Sequence, residues 1–175
     1  ARVLSAPMAP TAGAVTGFDC GPGNLLLDAW VQRHLQRAFD DGGTWARSGC
    51  VIPELLARLL DDSYFRRAPP KSSGRETFNL AWLMRKLDGK EKAADVQATL
   101  LALTARAISG AVQEFCAGAQ EIFVCGGGAR NTALMALLAH ELAPKSVAAT
   151  DALDVACEHV EALAFAWLAK LALNG

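Results

Sequence analysis

The chain has 175 residues, of which 52% are hydrophobic and 20% charged; that composition fits a folded domain with a sizeable core and excludes a disordered tail. Seventeen Lys and Arg against 18 Asp and Glu leave a formal charge of −1, so the chain carries no electrostatic footprint for nucleic acid and no basic window for an anionic membrane surface. No apolar stretch reaches the roughly 20 residues of a bilayer-spanning helix, and five scattered cysteines without a C-x-x-C pair argue against zinc and for reduced thiols in a cytoplasmic compartment.

Residues 1–16 are small and Pro/Ala/Thr-rich and read as a loop; residues 17–173 read as one globular unit. Val15 to Phe18 is extended and runs into Asp19-Cys20-Gly21-Pro22-Gly23-Asn24, a turn-forming run. An amphipathic helix is expected from Leu25 to Ala38, capped by Asn24, with Leu26, Leu27, Trp30, Val31, His34 and Leu35 on its apolar side. Asp40 to Gly43 breaks it. A second helix follows from Ile52 to Leu60, with Pro53 in its first turn. Arg66 to Arg75 is loop, and Leu80 to Leu87 a short helix. Asp95 to Phe115 has the strongest helical period in the chain. Glu121 to Cys125 reads as a buried strand, Gly126-Gly127-Gly128-Ala129-Arg130-Asn131 as a turn into a helix over Thr132 to Leu142, Ser146 to Thr150 as a strand, and Glu158 to Leu173 as a final apolar helix. Strands alternating with helices at this spacing predict an α/β layered domain, with Cys116, Cys125 and Cys157 as small core residues.

Two glycine-rich turns share a design: each follows an extended apolar stretch and precedes a helix, where backbone N–H groups and the helix dipole favour an anion. Neither matches the P-loop or the dinucleotide fingerprint. The first carries Asp19, a carboxylate placed to accept the proton of an attacking hydroxyl or water, or to hold a metal. Lys71 and Arg75 flank Ser72, Ser73 and Gly74 in a polar loop that could grip phosphate or sugar, although in isolation a solvated turn followed by a helix cap is the favoured reading. Gln97 and Thr99 open the long helix and could face a cleft. Glu161 lies in an apolar helix, where a carboxylate is costly unless exposed or engaged. His34, His140 and His159 lack ligand spacing, and Cys20 has no His partner for hydrolytic chemistry.

Gly17-Phe18-Asp19-Cys20-Gly21-Pro22-Gly23-Asn24, Pro70-Lys71-Ser72-Ser73-Gly74-Arg75-Glu76, Asp95-Val96-Gln97-Ala98-Thr99-Leu100, Val124-Cys125-Gly126-Gly127-Gly128-Ala129-Arg130-Asn131 and Val160-Glu161-Ala162-Leu163-Ala164-Phe165-Ala166-Trp167 occur in this order. Together the chain resembles the anhydro-N-acetylmuramic acid kinases from Gly17 to Ala169. The resemblance implies an actin-like, ribonuclease H-like fold, with a mixed sheet flanked by helices. It implies an enzyme of peptidoglycan recycling that opens the anhydro ring of anhydro-N-acetylmuramic acid with water and phosphorylates it from ATP, with Mg2+, to N-acetylmuramic acid 6-phosphate. Asp19 would be the general base; Gly21, Gly23 and Asn24 with Gly126, Gly127, Gly128 and Asn131 would hold nucleotide; Glu161 would be a substrate-side carboxylate. The family's upstream Gly-Thr-Ser-Leu-Asp-Gly phosphate segment is missing, and Asp154-Val155-Ala156-Cys157 replaces an expected Gly-Pro turn. The chain is therefore expected to be the C-terminal lobe, incomplete relative to a two-lobe enzyme and inactive alone; the competing reading is a non-catalytic lobe that binds nucleotide or a partner. An apolar final helix suits a homodimer.

Overall fold

The computed structural model describes residues 2–5 and 16–174. Its centre is α5 (Ala93–Phe115), a 23-residue helix about 35 Å long at 1.5 Å per residue. Val96 to Ala105 is buried without interruption, as are Ala107, Ala111 and Val112. Thr99, Thr104 and Ser109 lie inside this helix because each hydroxyl donates to a carbonyl one turn back, of Asp95, Leu100 and Ala105, which satisfies a buried polar group locally. α1 (Leu25–Leu35), α2 (Thr44–Ser48), α3 (Pro53–Leu60) and α7 (Thr132–Glu141) pack around it. Gly49 permits the closest approach: a methyl group there would lie 2.1 Å from the carbonyl oxygen of Ala94.

Several elements differ from the sequence reading. The segment read as loop over 1–16 contains a strand, β1 (Arg2–Ser5), antiparallel to β2 (Thr16–Asp19) with Arg2 opposite Asp19; the remainder of that call, 6–15, lies outside the described residues. α1 stops three residues early because Gln36 takes a left-handed conformation (φ 53°) and its N–H closes on Gln32. His34 and Leu35 are consequently exposed, His34 stacking 4.1 Å from Trp30. Asn24 does not cap α1 through its side chain. The break at 40–43 holds a 3-10 turn, Asp41–Gly43, and the unforeseen α2, whose first amides are held by the Asp40 carboxylate. α4 (Leu80–Met84) is capped by Asn79 and ends short of Leu87.

In place of one mixed sheet there are two separate two-stranded ladders among the described residues: β1–β2 antiparallel, and β3 (Glu121–Val124) with β4 (Ser146–Ala149) parallel. β3 is half-buried rather than buried, because a two-stranded sheet leaves one face uncovered. The link between β3 and β4 runs through a single-turn α6 (Gly127–Arg130) and α7. Cys157 is buried and Cys116 half-buried, but Cys125 is exposed, against expectation. The last helix, α8 (Val160–Asn174), is exposed along its length, with Phe165 at 71% and Trp167 at 60%.

Within the same core, Phe78 lies edge-on to Tyr64 at 5.2 Å and to Trp82 at 5.1 Å. No helix is long and apolar enough to cross a membrane among the described residues.

Replacing Leu103, fully buried at the middle of α5, with Ala is expected to lower stability by about 2–5 kcal/mol, measured as a shift in the urea midpoint at unchanged slope.

Candidate functional site

The first glycine turn leaves β2 at Asp19. Three hydrogen bonds fix that residue: its N–H donates to Lys71 O (3.0 Å), its carboxylate Oδ2 accepts from Ser73 N (3.0 Å), and its carbonyl accepts from the Tyr64 hydroxyl (2.7 Å). The loop at 71–75, favoured in isolation as a solvated turn, is thereby tied to Asp19. Lys71 is half-buried, its Nζ near the carbonyls of Tyr64 and Phe65 and 5.2 Å from the Tyr64 ring centre. Burial pulls its ammonium pKa down. Burial pushes the Cys20 thiol up, so it is a poor thiolate nucleophile.

Gly21 is buried, and a methyl group there would meet Cβ of Ala107 at 3.0 Å; its place in the turn is close packing on α5. Gly23 has φ 59°, a backbone that L side chains rarely adopt, and its carbonyl accepts from the Thr104 hydroxyl. The turn is thus bolted to α5 at two points.

The second glycine turn begins at Gly126 (φ 72°), whose N–H donates to Cys157 O at 2.7 Å and is therefore already used. Asn131 caps α7, accepting from Leu134 N. The two turns meet at Asn24: a methyl group on Gly127 would lie 3.3 Å from its Nδ2, and one on Gly128 3.8 Å from its Oδ1. The 3-10 turn closes a third side, with Thr132 Oγ1 donating to Gly42 O. Between them is a cleft of about 200 Å³ whose lining includes Asn24, Asp28, Phe39, Asp40, Gly127 and Asn131. Burial raises the Asp28 carboxyl pKa, and Phe39 is 60% exposed, presenting an aromatic face.

The structure therefore brings Asn24, Gly127, Gly128 and Asn131 together. Asp19 lies five residues before Asn24 and is held on the 71–75 side. Glu161, in the first turn of α8, is exposed and lies near Cys125, whose thiol pKa is raised by burial and then by that carboxylate. Gln97 and Thr99 are both fully buried; Thr99 accepts from Ile52 N, whereas the Gln97 amide oxygen and nitrogen have no hydrogen-bond partner. Arg75 is exposed. Tyr64, Asp28 and Phe39 escaped the sequence reading. Tyr64 is the chain's one tyrosine, and that rarity was its available signal.

A brace lies behind the second turn. Arg130 pairs with Glu158 at 3.0 Å and with Asp151 at 3.9 Å. The Cys157 thiol also donates to Glu158, so that carboxyl is held down to about 2 by the thiol and then by Arg130.

Compared with known proteins, residues 5–175 match the family described as anhydro-N-acetylmuramic acid kinase. Proteins of that name in Chromobacterium violaceum (52% identical over 155 residues, 87% of this chain and 42% of the relative) and in Burkholderia cenocepacia (53% over 163 residues, 90% and 43%) are similar to it. So is that of Nitrosomonas europaea (48% over 165 residues, 94% and 46%). The chain spans less than half the length of these relatives.

The brace carries a pH signature. The Glu158 pKa is depressed from 4.5 to about 2, so the support it gives is complete above pH 4.5 and is lost as pH falls through about 2. In the folded chain, the Glu158 carboxyl carbon should titrate in NMR near 2, with Gly126 amide exchange rising over the same window; a midpoint near 4.5 contradicts the brace.

Proposed function

Since the chain belongs to the anhydro-N-acetylmuramic acid kinase family, we propose that it forms the C-terminal, actin-like lobe of an ATP-dependent kinase of peptidoglycan recycling in the bacterial cytoplasm. The substrate is anhydro-N-acetylmuramic acid and the product N-acetylmuramic acid 6-phosphate. The observation that carries this reading is the meeting of the two glycine turns at Asn24 beside a cleft, with Asp19 at the head of the first turn.

In this proposal Gly127, Gly128, Asn24 and Asn131 border the nucleotide, with Gly21 and Gly23 shaping the first turn and Gly126 the second. Asp19 accepts a proton from water as its oxygen bonds to the anomeric carbon. The anhydro bond breaks, and the released oxygen attacks the terminal phosphorus of ATP, with ADP as leaving group. Glu161 faces the sugar once the cleft is completed by the rest of the polypeptide. Mg2+ would be held chiefly by the phosphates of ATP, with few protein ligands. Homodimerisation belongs to the same reading, supported by the apolar surface of α8.

In the polypeptide of full family length, Asp19→Asn should lose at least about a hundredfold in turnover, the scale of a general base, while nucleotide binding by calorimetry persists; full phosphorylation of the sugar from radiolabelled ATP would remove Asp19 from the role. The 175-residue chain alone should phosphorylate no sugar, and measurable turnover would instead make this lobe self-sufficient.

A further inference from the structure

Tyr64 and Ser73 have no part in the proposal above, yet they enclose Asp19. The Tyr64 hydroxyl donates to the Asp19 carbonyl at 2.7 Å. Tyr64 is 3% exposed, and its ring is wedged edge-on between Phe78 (5.2 Å) and Phe65 (5.9 Å), so the hydroxyl cannot swing. Burial is the largest influence on the phenol and pushes its pKa up, keeping it a neutral donor. The Ser73 side chain lies beside the same phenol and acts against the upward shift, and the Ser73 N–H donates to Asp19 Oδ2 at 3.0 Å. The Asp19 N–H, in turn, donates to Lys71 O.

These contacts hold Asp19 from two sides: the Tyr64 phenol on its carbonyl and the Ser73 amide on its carboxylate. They sit where they are mechanically needed. Asp19 is the last residue of β2 and leads directly into the glycine turn, where the backbone leaves its strand. A base must hold its oxygen within a fraction of an ångström of the proton that it takes, and a displacement of about 1 Å can cost a hundredfold in rate.

We propose that Tyr64 and Ser73 are positioning residues for the Asp19 carboxylate, acting on the reaction only through Asp19. Tyr64 holds the main chain of Asp19 with Ser73 beside its phenol, and the Ser73 amide fixes one carboxylate oxygen. This rests on Asp19 being the base.

The test uses the full-length kinase in four forms: wild type, Tyr64→Phe, Asp19→Asn and the double variant, with Ser73→Ala alongside. Tyr64→Phe is expected to lower kcat about tenfold, inside the range for misplaced groups, with KM for both substrates unchanged. In the Asp19→Asn background it should lower kcat no further, since a residue that acts through another is non-additive with it. Ser73→Ala keeps the amide and loses the hydroxyl, and should reproduce a smaller kcat loss at unchanged KM and unchanged urea midpoint. It decides the matter if Tyr64→Phe does not fold. Unchanged kcat in the folded variants overturns the proposal, as does a loss that tracks KM and the unfolding midpoint, or an equal loss in the Asp19→Asn background. Wild-type turnover by Asp19→Asn sinks the base assignment itself and is seen in its own arm.

Discussion

A helix buried on most of its circumference must find partners for the hydroxyls it carries, and α5 does so in a way that builds the site, while the Gln97 amide is left without a partner. Its hydroxyls first close on its own backbone and then reach outward. Thr99 accepts from Ile52 N at the start of α3, and Thr104 donates to the carbonyl of Gly23. Asp95 adds a carboxylate to Cys50 N. Each of these anchors a segment that has no regular hydrogen bonding of its own at that point, so the core helix doubles as the register mark for the loops around it. Gly21 against Ala107 completes the attachment by shape instead of polarity. The first glycine turn is thus rigid because α5 is, which is what a site built on a turn requires.

The second turn obtains its rigidity differently. It has no long helix beneath it; β3 is half-buried and α6 is a single turn. Its first amide is used on Cys157 O, and the Arg130–Glu158 pair ties the following turn to the segment before α8. A charge brace on the surface is weaker than core packing. The two walls of the cleft therefore differ in stiffness, with the α5 side fixed and the Gly127 side the more compliant.

How far the sequence disclosed this depended on the range of each interaction. The period of α5 was legible because it repeats within the helix, and the glycine turns were legible because Gly and Pro act on their own backbone. β1 was missed: a four-residue strand is defined by its partner, and Arg-Val-Leu-Ser carries no pattern of its own. Asn24 was assigned as a cap because capping is the local option, whereas its amide faces the other turn, a hundred residues on. α1 was drawn too long because its end is set by a left-handed Gln36, where glycine is the usual sign. Tyr64 was invisible for the same reason as Asn24: its hydroxyl serves a residue 45 positions away.

α8 shows the opposite case, in which local pattern and observed surroundings disagree. Leu163, Phe165, Trp167, Leu168, Leu171 and Leu173 are all exposed, and at 100° per residue they fall on every side of the helix. A helix apolar all round has the composition of one covered on several faces. The sequence of α8 therefore encodes surroundings on more than one face, while that of α5 encodes surroundings this chain supplies itself. Glu161 belongs to the first category. Exposed here beside Cys125, it follows the same logic as its apolar neighbours, and its role is defined by what encloses the helix.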